Sequence, residues 1–97
     1  MKTVLETNTI KNQVDKIWSE EERLEFISYI SANTDAGDVI PNADGARKIR
    51  WSVENTGKRG GARVIYFNLD ADILCLVAIY KKAEKENMKP TEIKEVR

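Results

Sequence analysis

Two neighbouring runs constrain this chain more than any other feature. Arg63 to Leu69 and Ile73 to Tyr80 are rich in β-branched and aromatic residues, and only Asp70-Ala-Asp72 lies between them. Such residues suit a pleated, half-buried surface, and a short polar connection is of hairpin length. The reading is an antiparallel hairpin. Residues 73–79 are apolar without alternation, which places that strand centrally in a sheet.

Upstream, Thr3-Val-Leu-Glu6 reads as a short first strand. Thr7-Asn8-Thr9 supplies capping side chains for a helix in which Ile10, Val14, Ile17 and Trp18 share a face, ending near Trp18. Ser19 and Glu22 then form the Ser-x-x-Glu capping-box pattern and open a second helix that runs to about Asn33, with Leu24, Phe26, Ile27 and Ile30 along one side. Asp35 to Gly45 carries turn formers and little periodicity, so it reads as a loop. In Ala46 to Val53 the alternation puts Ile49, Trp51 and Val53 on one face of a strand and Lys48, Arg50 and Ser52 on the other. Beyond Lys81 the chain turns polar, and Pro90 can begin only a short terminal helix. The class that follows is α+β: an antiparallel sheet of about four strands packed against two N-terminal helices, in a single domain over residues 1–97.

Composition narrows the chemistry. With 41% hydrophobic and 33% charged residues the chain can bury a modest core without metals or cross-links. No apolar run approaches the roughly 20 residues of a membrane-spanning helix, and Glu6 interrupts the stretch where a secretory signal would need to be apolar. The expected location is the cytoplasm. The lone cysteine, Cys75, sits in the apolar run and reads as a buried, inert thiol. Histidine is absent, which removes His-based metal sites, Ser-His-Asp triads and Cys-His dyads. No metal or other cofactor is expected, and chemistry falls to Lys, Arg, Tyr and carboxylates.

Formal charge is zero, yet it is segregated. Residues 1–46 hold four Lys/Arg against nine Asp/Glu, whereas residues 47–66 hold Arg47, Lys48, Arg50, Lys58, Arg59 and Arg63 against Glu54 alone. Cations fixed on a strand face suit phosphates, which arginine can grip with two parallel hydrogen bonds. Gly57, Gly60 and Gly61 give the connector freedom and expose Lys58 and Arg59, an arrangement suited to closing over a nucleic-acid backbone. The plain alternative is a solvated strand face and a long hairpin, since mixed charge on strand surfaces is common.

Four motifs carry a resemblance: Gly37-Asp-Val-Ile40, Arg47-Lys-Ile-Arg50, Gly57-Lys-Arg-Gly-Gly-Ala-Arg-Val-Ile-Tyr66 and Ile79-Tyr-Lys-Lys82. In these, over nearly its whole length, the chain resembles the RelE/HigB toxins of type II toxin–antitoxin systems, particularly a HigB-like subgroup. The resemblance implies a RelE-like microbial RNase fold and a ribosome-dependent mRNA endoribonuclease that inhibits translation. It implies metal-independent cleavage by the ribose 2′-hydroxyl, giving a 2′,3′-cyclic phosphate, with the ribosome, mRNA and a helix-turn-helix, HigA-like antitoxin as partners. Residue by residue, it implies that Lys48 and Arg50 orient RNA, with Lys48 a candidate base. Arg63 would contact the scissile phosphate, and Lys82 would stabilise charge or donate a proton. Arg47, Lys58, Arg59, Tyr80 and Lys81 would add RNA contacts, and Tyr80 or Tyr66 could stack on a nucleotide. The chain departs from the pattern near its end, where Met88 stands at about the position that holds tyrosine or histidine in relatives. This leaves a second reading: a weakened relative that binds RNA, the ribosome or its antitoxin without cutting. A structural or adaptor domain with an incidental basic strand is the third.

Overall fold

The structure, a computed structural model, describes residues 2–51, 61–81 and 89–95. Strand β1 (Thr3–Glu6) leads into helices α1 (Asn8–Ile17) and α2 (Glu20–Ala32), followed by strands β2 (Asp38–Val39), β3 (Arg47–Trp51), β4 (Ala62–Asn68) and β5 (Ile73–Lys81) and a short helix α3 (Pro90–Glu95). The class is α+β, with a mixed five-stranded sheet in the order β1-β5-β4-β3-β2. Among the described residues, no helix is long and apolar enough to cross a membrane.

Local chemistry explains most of these elements. Thr7 Oγ1 accepts from the Ile10 amide (3.2 Å) and caps α1. Ser19 and Glu22 close the expected capping box on α2, with bonds of 2.9 and 3.1 Å. Asp70 Oδ1 accepts from the amides of Asp72 (2.7 Å) and Ile73 (2.9 Å), which turns the chain from β4 into β5.

One expectation needs correction. The sheet is not wholly antiparallel: β1 pairs in parallel with β5, Thr3 opposite Ile73 and Glu6 opposite Leu76. A parallel neighbour reached through two helices leaves no turn signature in sequence, unlike the β4–β5 hairpin. The two-residue β2 falls in the segment expected to be loop. It pairs antiparallel with β3, Asp38 opposite Lys48.

Apolar residues are buried on both faces of the sheet. On the first, α1 and α2 bury Ile10, Ile17, Trp18, Phe26 and Ile30 against Ala62, Val64, Tyr66, Leu74, Leu76 and Ile79. Trp18, Phe26, Trp51 and Tyr29 form a chain of rings with centroids 5.1–5.4 Å apart. Leu24, expected on the buried side of α2, is 53% exposed. It lies two residues from Phe26, about 200° around a helix of 3.6 residues per turn. The Val14 side chain, and Ser52 and Val53, lie outside the described residues. On the second face, Ile65, Phe67, Val77, Ala78 and Tyr80 cluster with Ala43 and Ala46 of the 40–46 loop and with Ile93 of α3.

A β-bulge decides which residues reach that second face. Ile65 pairs with Ala78 but Tyr66 with Leu76, so Val77 is the extra residue. Strict alternation from Leu74 would put Tyr80 under the helices. The bulge reverses the phase, and Val77, Ala78 and Tyr80 share the second cluster while Leu76 and Ile79 stay in the first. Thr7 pins the bulge at its backbone: its amide donates to Leu76 O (3.1 Å) and its hydroxyl to Val77 O (2.8 Å).

Candidate functional site

The register assembles a cationic end on the second face. Arg50 of β3 lies directly opposite Arg63 of β4, and Arg63 directly opposite Tyr80 of β5. One row away, Lys48 faces Ile65. Directly opposed residues share a face with Cβ atoms about 5 Å apart, so Lys48, Arg50, Arg63 and Tyr80 form one patch. Arg50 is exposed and Lys48 half-buried. Arg63 is 9% exposed and Tyr80 8% exposed. Arg63 Nη1 donates to Ala62 O at 3.4 Å.

Other cations lie elsewhere. Alternation turns Arg47 to the opposite face, where Nη1 donates to Gly37 O (2.7 Å) and Asp35 O (3.3 Å) and Nη2 stands 3.6 Å from Asp35 Oδ1. Arg47 therefore holds the 35–37 loop, apart from Lys48 and Arg50. Lys81, opposite Ala62, is likewise one step out of phase with Tyr80. Lys58, Arg59, Lys82 and Met88 lie outside the described residues.

Tyr66 is not available for stacking. Its hydroxyl donates to Thr34 O (3.0 Å) and accepts from the Gly37 amide (2.9 Å), and its ring is wholly buried in the helix-side core. Burial pushes its phenol up, against the opposing pull of the Gly37 hydrogen bond and the nearby Arg47 cation. A Cβ on Gly37 would stand 2.9 Å from Tyr66 Cε1 and from Lys48 O, so only glycine fits there.

Together, the Tyr66 hydroxyl and the Arg47 guanidinium grip Gly37 from two sides and fix the entry into β2. The next residue, Asp38, is exposed and lies directly opposite Lys48 on the cationic face. It is the single acid that the described strands place on that face. Sequence reasoning counted it within the Gly37–Ile40 motif but gave it no role, because that segment read as loop. The available signal was the glycine itself, since close backbone approach requires one. Among the described residues, no group of three or more Cys, Asp or Glu is placed to hold a metal ion.

What the patch offers chemically is fixed positive charge from Lys48, Arg50 and Arg63, a phenol beside it, and one carboxylate at its edge. No protein-family model matches the chain.

Proposed function

We propose that the protein is a RelE-like toxin, a ribosome-dependent mRNA endoribonuclease that binds the RNA backbone on the second face of its sheet. The observation carrying this reading is the cross-strand row Arg50–Arg63–Tyr80, with Lys48 one row away. Two arginines directly opposite one another repel, at a cost of a few tenths of a kcal/mol up to about 1 kcal/mol. An anion between them is attracted to both, and a phosphodiester has the charge and geometry for that. The motif resemblance supplies the substrate class and the cytoplasmic setting, together with an antitoxin as the natural partner.

In the reaction, the ribose 2′-hydroxyl attacks the adjacent phosphorus while the 5′-oxygen leaves. Arg50, Arg63 and Lys48 stabilise the negative charge that builds on the phosphoryl oxygens. Lys82 and the connector cations Lys58 and Arg59 extend this set by the motif match alone.

The test is to add pure protein to a translating extract and map mRNA 5′ ends. Codon-positioned cuts in wild type, and their loss in Arg63→Ala, are the expected result. Intact mRNA sinks the cleavage reading. The burial of Tyr80 and Arg63 favours one other reading, a protein that engages RNA, ribosome or antitoxin without cutting. It would inhibit translation while leaving mRNA whole.

A further inference from the structure

We propose that Asp38 is the general base of this site, taking the proton from the ribose 2′-hydroxyl as that oxygen attacks phosphorus. The inference rests on the RNA-cleaving reading above and supplies the base that reading leaves unassigned.

Two observations carry it. The first is placement. The β2–β3 register sets Asp38 directly opposite Lys48, so its carboxylate borders the cations that would hold the phosphodiester, with Cβ atoms about 5 Å apart. It is exposed, and no hydrogen bond or ion pair with a described side chain occupies it. The second is how firmly this short strand is held. Two residues of pairing cannot fix a strand by themselves. Here the residue before Asp38 is held by the buried Tyr66 hydroxyl at 2.9 Å and by Arg47 at 2.7 Å, in a space that excludes any side chain at position 37. A buried phenol and a half-buried guanidinium thus orient the backbone of an exposed carboxylate. Such supporting contacts are how a reacting group is preorganised.

Several other described acids and the two core tyrosines lie away from the cations or are buried. Glu6 is bound to Arg23 and Asp35 to Arg47, both on the helix side of the sheet. Asp70 and Asp72 sit at the hairpin turn, at the opposite end of β4 and β5 from Arg63 and Tyr80. Tyr66 is locked in the core and Tyr80 is buried.

The step balances without any further reactant but water. The 2′-O–P bond forms and the P–O5′ bond breaks. The 2′ proton passes to Asp38, the departing 5′-oxygen takes a proton from water, and Asp38 returns its proton to solvent. Lys48, beside the carboxylate, carries charge on the phosphoryl oxygens and no longer needs to be neutral to serve as base.

Asp38→Asn keeps size and hydrogen-bonding capacity but cannot accept the proton. In single-turnover cleavage of ribosome-bound mRNA, Asp38→Asn is expected to lose at least about 100-fold in rate, with affinity for a short RNA within about threefold of wild type. The acid-side fall of the wild-type pH–rate profile should disappear, Asp38→Glu should recover part of the rate, and the thermal midpoint should barely move. Cleavage by Asp38→Asn within about threefold of wild type overturns the assignment. So does a loss of RNA affinity in step with the rate, which would make Asp38 a binding residue. If wild type itself leaves mRNA whole, the cleavage reading falls and Asp38 falls with it. That failure is read from wild type alone, whereas the other two need an active wild type and concern Asp38 only.

Discussion

The two faces of the sheet are built by different rules. On the helix side most buried groups answer one another: rings stack on rings, the Tyr66 hydroxyl meets a carbonyl and an amide, and Arg23 grips Glu6 with both Nε and Nη2. On the other side an apolar half sits under Ile93 and the 40–46 loop, and beyond it arginine opposes arginine. The first arrangement stabilises the fold without reference to anything outside the molecule. The second sets like charges side by side, an arrangement that a bound anion stabilises. Residues on one face should therefore govern whether the chain folds, and residues on the other what it binds.

Phe26→Ala should break the helix-side face most severely. The ring is fully buried and lies 5.4 Å from Trp18 and 5.1 Å from Trp51. Truncation of such a ring costs about 3–5 kcal/mol, read as a fall in the denaturation midpoint, with RNA affinity unchanged in whatever fraction stays folded. Arg63→Ala tests the opposite face. On the proposed RNA-binding reading, losing a charge-assisted hydrogen bond to phosphate should cost about 1.5–3 kcal/mol, roughly 10- to 150-fold in RNA affinity measured by fluorescence anisotropy. If Arg63→Ala instead mainly lowered the unfolding midpoint, the division between the faces would not hold.

How much of this was legible in the sequence depended on how local the cause was. The capping box at Ser19 and Glu22 and the turn at Asp70 were visible because all the interacting groups lie within four residues. Lys48 and Arg50 were placed together correctly because alternation within one strand is enough. The same alternation separates Arg47 from them, a signal present in the sequence but obscured by grouping the cations by charge. Three features depended on distant partners. The parallel seat of β1 on β5 spans about seventy residues, the bulge at Val77 appears only against the register of β4, and β2 exists because Tyr66 and Arg47 hold Gly37. Asp38 became visible only once that last interaction was known.

Tyr66→Phe sharpens the comparison by removing a single oxygen. It leaves the Gly37 amide without its buried acceptor, a cost of about 1–3 kcal/mol. Wild type should also show a pH dependence that the variant lacks. Because folding raises the Tyr66 pKa, the native state keeps this proton where the unfolded state has lost it, so the protonated phenol contributes its full stability below about pH 10 and loses it as pH rises further. Urea midpoints measured from pH 8 to 11 should therefore fall more steeply in wild type. On the Asp38 proposal, the variant should also cleave more slowly even at pH 7, because β2 has lost one of its two supports.

Arg50→Gln should give the smallest effect and the most direct test of the difference between the faces. Arg50 is exposed and lies directly opposite Arg63, so removing its charge relieves a like-charge pair worth about 0.2–1 kcal/mol. The variant should be slightly more stable than wild type at low salt, with the gain fading as added salt screens the pair. RNA affinity should move the other way, and the salt dependence of binding should weaken by about 0.7 in the slope of log K against log salt for the one phosphate no longer neutralised. A residue that lowers stability and raises affinity belongs to a surface shaped for a ligand. If Arg50→Gln lowered stability instead, the repulsion would already be balanced within the protein, and the case for an anion between the two arginines would lose its basis.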